Sequence, residues 1–295
     1  MIMNMSAGAN IQPVVGKLLS TLNVGDTLEV PVVSGWQSRF GANIVWKVAD
    51  KNHAGYPTDS VTLITDKIIQ IMASDAKEPS NSNSERRNYG NNRHIYSNLL
   101  QWLNSNATAG NWYSAKHSAD APPTNANVFG NYNEYDGWAG FLAMLDSKFV
   151  SELLDTTLAV VKSSTDGGSY ETFTAKMFLA SSAEVGLADS DGNGEGTLLA
   201  LFSDDTSRVA YPTAECVSNS EYTSSNFTTS NGWDWWLRTS GSLSACAVYF
   251  IQPSGTLVSG YAYYGVNGVR PLCNLPGSLR VSESPNAAGN YTLLD

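Results

Sequence analysis

The sequence predicts an α+β fold on three observations. Alternating apolar strands occupy the first seventy residues, two segments between 97 and 154 have helical spacing, and from residue 180 short apolar runs alternate with Gly, Ser, Asn and Pro. Strands and helices first, many short strands afterwards, is the order of an α+β domain rather than of repeated βαβ units. No linker or composition break divides the 295 residues, enough for one large core. The expected organisation is an N-terminal arm over 1–22 and a single domain over 23–295.

The arm carries a weak pattern compatible with a short helix around Val14–Leu22. Gly25 and Asp26 turn into a strand over Thr27–Val33, where Leu28, Val30 and Val32 alternate with other residues. Asn43–Ala49 and Ser60–Thr65 read as two further strands, and Asp66–Met72 extends the last one or begins a helix. The polar run from Asp75 to Arg93, rich in Ser and Asn, predicts a mobile loop. Leu99, Leu100, Trp102 and Leu103 then share a helical face, with Ser97 placed to cap it. Residues 105–137 have no clean period, and long loops of this kind are often functional. Phe141, Leu142, Leu145, Phe149 and Leu153 predict a helix over Gly140–Leu154. Leu158–Lys162 and Phe173–Leu179 are strand candidates. Beyond residue 180 no helix is expected, and Leu198–Phe202, Trp233–Leu237, Ala247–Ile251, Thr256–Val258 and Val269–Leu275 read as short strands.

Composition narrows the function. Charged residues make up 15% of the chain, against roughly 25% in an average domain, so the polar surface must come largely from Ser, Thr, Tyr and 26 Asn. Lys+Arg 17 against Asp+Glu 27 leaves a net charge of −10, which disfavours nucleic acid and anionic membranes as main partners. No stretch approaches the ~20 apolar residues of a membrane span, and Met1–Gly8 has neither the basic nor the apolar region of a signal peptide. Cys216, Cys246 and Cys273 are too few and too far apart for a disulfide framework or a zinc pattern, and free thiols are expected. Asn-x-Ser/Thr matches at Asn4, Asn106, Asn226 and Asn290 carry little weight in so Asn-rich a chain.

Catalytic motifs are missing: there is no His-Glu-x-x-His, Gly-x-Ser-x-Gly, P-loop or Cys-x-x-Cys. His53, His94 and His117 lie in polar loop segments, a poor setting for a rigid catalytic histidine. Asp189, Asp191 and Asn193 offer oxygen ligands at alternate positions before Gly194 and resemble the start of a calcium loop. The closing bidentate Glu of that motif would fall at Ala200, so an acidic turn between strands is the preferred reading.

The most informative stretch is 239–267. Its 29 residues contain no Lys, Arg, His, Asp or Glu, where the chain average would place about four, and no Trp or Met. Every residue but Gln252 is reachable by replacing the first two bases of an Asn codon. Tyr249, Tyr261, Tyr263 and Tyr264 stand among Ser, Gly and Ala, the composition of an adaptable binding surface. An ordinary hairpin with an aromatic ladder fits that composition equally.

Four segments bring in a resemblance. Ile95–Asn104 resembles the "S-x-L-x-x-W-L-N" helix, Lys176–Val185 the "K-x-F-L-L-S-x-x-E-V" segment, Asp234–Gly241 the "W-W-L-R-S-P-G" segment and Gly268–Leu275 the "G-V-R-P-A-L-N-L" segment of a phage and bacterial domain family with a C-type-lectin-like fold. Order and spacing agree over residues 24–275. Some members are variable proteins of diversity-generating retroelements, in which mutagenic reverse transcription rewrites adenine positions between the last two segments. The resemblance implies that Ser242, Leu243, Ser244, Ala245, Gln252, Thr256, Ser259, Tyr261, Tyr263, Tyr264 and Gly265 are ligand-binding display positions. Gln252 departs from the pattern, and Thr239 and Ser240 replace the family's Ser-Pro.

Trp235, Trp236, Leu237 and Trp102 are expected in the core. Arg238 and Arg270 are expected to anchor the ends of the displayed segment through buried hydrogen bonds. The expected function is therefore ligand or receptor binding, with no enzyme activity and no cofactor. The partner would be a host or bacterial surface protein or a glycan, with no nucleic acid and no membrane insertion, and the arm allows a homo-oligomer. The expected location is a virion, as a phage tail or surface protein, or an exposed bacterial surface. A fixed virion decoration subunit shares the scaffold without the ligand site. A formylglycine-generating-type enzyme would need Cys246 and Cys273 as its pair, one of them inside the stretch proposed to vary.

Overall fold

Apolar residues on both faces of a strand demand a core on either side, and Ser60–Thr65 and Trp235–Ser240 are buried at every position. Their side chains alternate between two hydrophobic clusters. Val61, Leu63 and Trp236 face the first, while Ile64, Trp235 and Leu237 face the second. The computed structural model describes residues 16–187 and 191–294. It shows a mixed α+β protein with 20% helix and 26% strand, several sheets, and one sheet curled into a half-barrel.

The strands are β1 (Lys17–Leu18), β2 (Thr27–Pro31), β3 (Asn43–Lys51), β4 (Ser60–Thr65), β5 (Gln70–Ile71), β6 (Thr156–Val161), β7 (Tyr170–Ala175), β8 (Met177–Phe178), β9 (Trp235–Ser240), β10 (Ala247–Ile251), β11 (Leu257–Tyr261), β12 (Gly268–Val269), β13 (Leu272–Pro276), β14 (Arg280–Val281) and β15 (Asn290–Thr292). A six-stranded sheet runs β15-β2-β3-β4-β13-β8, and a five-stranded sheet runs β11-β10-β9-β12-β5. β6 pairs with β7 and β1 with β14. The step from β12 to β13 carries the chain from one large sheet to the other, so the segment Gly268–Leu275 ties them together.

The helices are α1 (Gln37–Phe40), α2 (Ser84–Tyr89), α3 (Asn98–Leu103), α4 (Ser147–Glu152), α5 (Asp205–Arg208) and α6 (Ala214–Asn219). Elements of four to six residues cannot persist alone, and side-chain caps and packing hold them. Ser97 accepts from the Leu100 amide as expected, and Asn83, Asp146, Asp204 and Thr213 cap four of the others.

Several expectations are corrected. The predicted helix over Gly140–Leu154 is two short pieces, because Leu145 is extended and bridges to Val32 before Asp146 starts α4. α5 and α6 lie where no helix was expected, and Leu198–Phe202 is not a strand, although Leu199 and Phe202 fill the second core. The polar run 75–93 is not a surface loop: Asp75, Glu78, Asn91 and Asn92 are buried, and α2 lies within it. The boundary expected at residue 22 falls inside the packed unit, where Leu19 and Leu22 are fully buried and Lys17–Leu18 pairs with β14. Val14, at the start of the predicted arm helix, lies outside the described residues. The three cysteines are free and buried.

Candidate functional site

β10 and β11 form an antiparallel hairpin, Ala247 opposite Tyr261 and Ile251 opposite Leu257, with β11 at the edge of its sheet. This hairpin and its flanking turns make up the charge-free stretch. Arg238 and Arg270, at its two ends, go inward. Arg238 forms a bidentate pair with Glu184 at 2.6 and 2.7 Å, both side chains fully buried, and also donates to the carbonyls of Leu179, Ala159 and Glu195. Burial works against its charge, but Glu184 more than offsets this and holds the guanidinium above its ordinary value. Arg270 donates to the Thr65 and Asp66 carbonyls and lies over the Trp235 ring, and burial pulls it down to about 10. The expected anchors are therefore present. Glu184, within the Lys176–Val185 segment, is the partner that was not singled out.

Between the anchors, the backbone is held and selected side chains are left outside. In the turn 241–246, the Asn92 side-chain amide reaches the carbonyls of Gly241, Ser244 and Ala247 at 2.8–3.0 Å. The Asn92 backbone N–H donates to Ala245 O, the Glu85 carboxylate accepts from the Ala245 N–H at 2.6 Å, and Asp191 accepts from Ser242 N–H at 3.1 Å. Leu243, at the tip, is 94% exposed. A side chain so exposed on a pinned backbone contributes almost nothing to packing.

The turn after β11 is held in the same way. Ala262 N–H donates to Cys246 O, Tyr263 N–H to Tyr89 O, and Phe129 N–H to Tyr263 O. Tyr261 stacks on Tyr89 at 4.3 Å between ring centroids, while Tyr263 and Tyr264 pack between Tyr261, Tyr89 and Phe129. Burial, with the neighbouring tyrosines, raises the Tyr263 and Tyr264 hydroxyl pKa values. Tyr261 and Phe129 remain more than a third exposed. α2 connects the two turns, because Glu85 binds the first and Tyr89 stacks in the second.

The expected display residues therefore divide. Ser242, Leu243, Ser244, Tyr261, Tyr263 and Tyr264 gather at one end of the hairpin. Gln252 and Thr256 lie at the other end, where Gln252 N–H donates to Thr256 O to close the turn, roughly 17 Å away along five residues of strand. Ser259 is exposed midway along β11. Ala245 and Gly265 are buried, and a Cβ on Gly265 would stand 2.3 Å from Tyr132 O. Neither presents a side chain to a ligand. Tyr89, a lone aromatic in a polar run, was missed; Phe129 lies in the aperiodic 105–137 loop, which was expected to flank the surface but in which no residue was singled out.

In the acidic turn, Asp189 lies outside the described residues and Asn193 is exposed. Asp191 has a structural task, accepting from Ser242 N–H and from the Tyr249 hydroxyl. Glu195 is buried and accepts from Val161 N–H and the Thr239 hydroxyl. His53 and His94 are buried rather than in open loops. His53 pairs with Asp50, and burial drives His94 down to about 3.

A domain-family model described as "Domain of unknown function (DUF6273)" matches residues 59–277. The chain belongs to the DUF6273 family. No curated protein and no solved structure matches it. The DUF6273 span encloses all four motif segments and both ends of the hairpin, and begins after β3. Among the described residues no helix is long and apolar enough to cross a membrane.

Proposed function

We propose that this DUF6273 protein is a ligand- or receptor-binding display protein, phage-encoded or bacterial, built on a C-type-lectin-like scaffold. Its contact surface is the hairpin end carrying Ser242, Leu243, Ser244, Tyr261, Tyr263 and Tyr264, extended by Tyr89 and Phe129. The carrying observation is the separation of duties within a charge-free segment: its main chain is hydrogen-bonded to fixed scaffold residues while Leu243 and Tyr261 project. Rigid amphipathic tyrosines next to small residues give contact area at low entropic cost. Such an arrangement tolerates side-chain replacement by a retroelement without unfolding. Gln252, which no first- or second-base change of an Asn codon supplies, closes the distal turn and lies outside this surface.

Buried acids and carbonyls around Arg238 serve the scaffold rather than chemistry. Burial also raises the Cys246 and Cys273 thiols, away from the thiolate that a cysteine-based reaction uses. The deciding experiment compares codons 239–267 across many genomes or virions of the source population with any adjacent near-copy. Changes concentrated at codons 242–244 and 261–264, at template adenines, are expected. A uniform segment with no near-copy would reduce the protein to a fixed structural or binding domain of the same fold.

A further inference from the structure

Away from the hairpin face, Glu78, His117 and Asp120 bring one ligand atom each to within 4.8 Å of one another. Glu78 Oε1 is 2.8 Å from His117 Nε2, and the Glu78 side chain is 1% exposed. Tetrahedral donors about 2.0–2.2 Å from one ion stand roughly 3.3–3.6 Å apart, so binding would replace the Glu78–His117 hydrogen bond with only a small outward shift. We propose that these three side chains form a binding site for a divalent first-row transition cation, with remaining positions open to water. One imidazole with two carboxylates is a donor set suited to zinc or its neighbours.

Charge accounting supports the site independently of the ligand geometry. Asp75 and Glu78 are both 1% exposed, and burial, then Glu78 and to a lesser degree Asp120, raises the Asp75 pKa. Among the described residues no Lys or Arg forms an ion pair with any of the three; His117 on Glu78 is the sole such contact. Of the other deeply buried carboxylates, Glu184 is answered by a bidentate arginine and Glu195 by a backbone N–H and a hydroxyl. Carboxylates buried close together are costly in their charged form, and a divalent ion held by Glu78 and Asp120 would offset that cost.

The surroundings orient the ligands as metal sites require. Asn91 Nδ2 donates to Glu78 Oε1 at 3.0 Å and Asn81 Nδ2 to Glu78 Oε2. Lys116 N–H donates to Asp120 at 2.6 Å. Ala119 N–H donates to His117 Nδ1 at 3.4 Å, which makes Nδ1 the acceptor and leaves Nε2, 2.8 Å from Glu78 Oε1, as the nitrogen whose proton a metal ion would replace. Asp75 is saturated by the Asn91 and Asn98 amides and stays outside the coordination shell.

The ion would clasp two segments that are distant in sequence. Glu78 N–H donates to Arg86 O, within the helix that carries Tyr89, and Lys77 N–H donates to Asn127 O, two residues before Phe129. Metal would therefore stiffen both outer walls of the aromatic surface, although the site does not depend on that surface being a binding face.

The test uses the full chain without an affinity tag, stripped with chelator and titrated with Zn²⁺ by calorimetry, with Co²⁺ as a spectroscopic probe. One equivalent should bind with low-micromolar affinity or tighter, raise the melting temperature and give Co²⁺ a visible ligand-field band. Asp120→Asn and His117→Gln should each weaken binding about tenfold or more. In metal-free buffer the half-exposed Asp120→Asn variant should melt near wild type, which verifies that it folds. Absence of stoichiometric uptake by the wild type, or unchanged uptake in both variants, overturns the proposal.

Discussion

Glu195 shows how the scaffold side of the hairpin treats charge. Its carboxylate accepts from Val161 N–H and the Thr239 hydroxyl, while its carbonyl accepts from Arg238. Burial nevertheless pushes its pKa up from 4.5 to about 7. Between those values the folded state binds more proton than the unfolded state, so this residue makes stability fall as pH rises through that window. His94 has the opposite sign. Burial depresses it from 6.5 to about 3, so its contribution is present above pH 6.5 and is lost as pH falls below. The two nearly cancel between pH 4.5 and 6.5, and removing one exposes the other. Glu195→Gln keeps an acceptor for Val161 and Thr239 but cannot ionise. Relative to wild type it should gain roughly 2–3 kcal/mol of stability between pH 5 and pH 8, read by chemical unfolding at the two values. An offset that is the same at both would remove Glu195 as the source.

At the scale of elements, the turns at the open end of the hairpin should separate backbone from side chain sharply. Leu243→Ser removes a side chain that touches almost nothing and should change stability by no more than about 0.5 kcal/mol. Gly265→Ala sets a methyl group against Tyr132 O and should cost about 2 kcal/mol or more. Urea titration of the pair decides: comparable losses would mean that this end is packed core rather than display surface. Legibility in the sequence followed the same division. Ser60–Thr65 and Ala247–Ile251 were legible to the residue, because alternation or a short apolar run between turn residues is a local signal. Helix α3 was legible through Ser97 and the Leu99–Leu103 face. α5 and α6 were not, since each buries a single side chain, Arg208 and Cys216, and so shows no apolar face, and their caps resemble any Asp or Thr in a loop. The burial of Asn92 was also hidden, because its partners at Gly241, Ser244 and Ala247 lie about 150 positions away. Of the proposed contact surface, the charge gap pointed to the tyrosines of β11 and its turn. Tyr89 and Phe129 join them only through tertiary packing.

For the whole molecule, the decisive feature is that the two hydrophobic clusters share their walls. β4, β9 and β13 each send side chains to both: Leu63 and Ile64, Trp236 and Trp235, and Cys273 and Leu272 are adjacent residues on opposite faces. A shared strand cannot leave one cluster without stripping the other, because its flip side is exposed in the same movement. The two clusters should therefore unfold together although the chain is long enough for two domains. Leu63→Ala, in the first cluster, and Leu237→Ala, in the second, should each cost about 2–5 kcal/mol. Both should shift the denaturant midpoint without splitting the transition or changing its slope, since the surface exposed on unfolding is the same. Cys273 lies in the first cluster and Cys216 in the second, both free and buried, so labelling of each thiol along the denaturant series follows one side alone. Coincident curves for the two thiols are the expected result. Two separated midpoints would show that β9 is a seam between independently stable halves, and the Arg238 anchor would then hold the hairpin to only one of them.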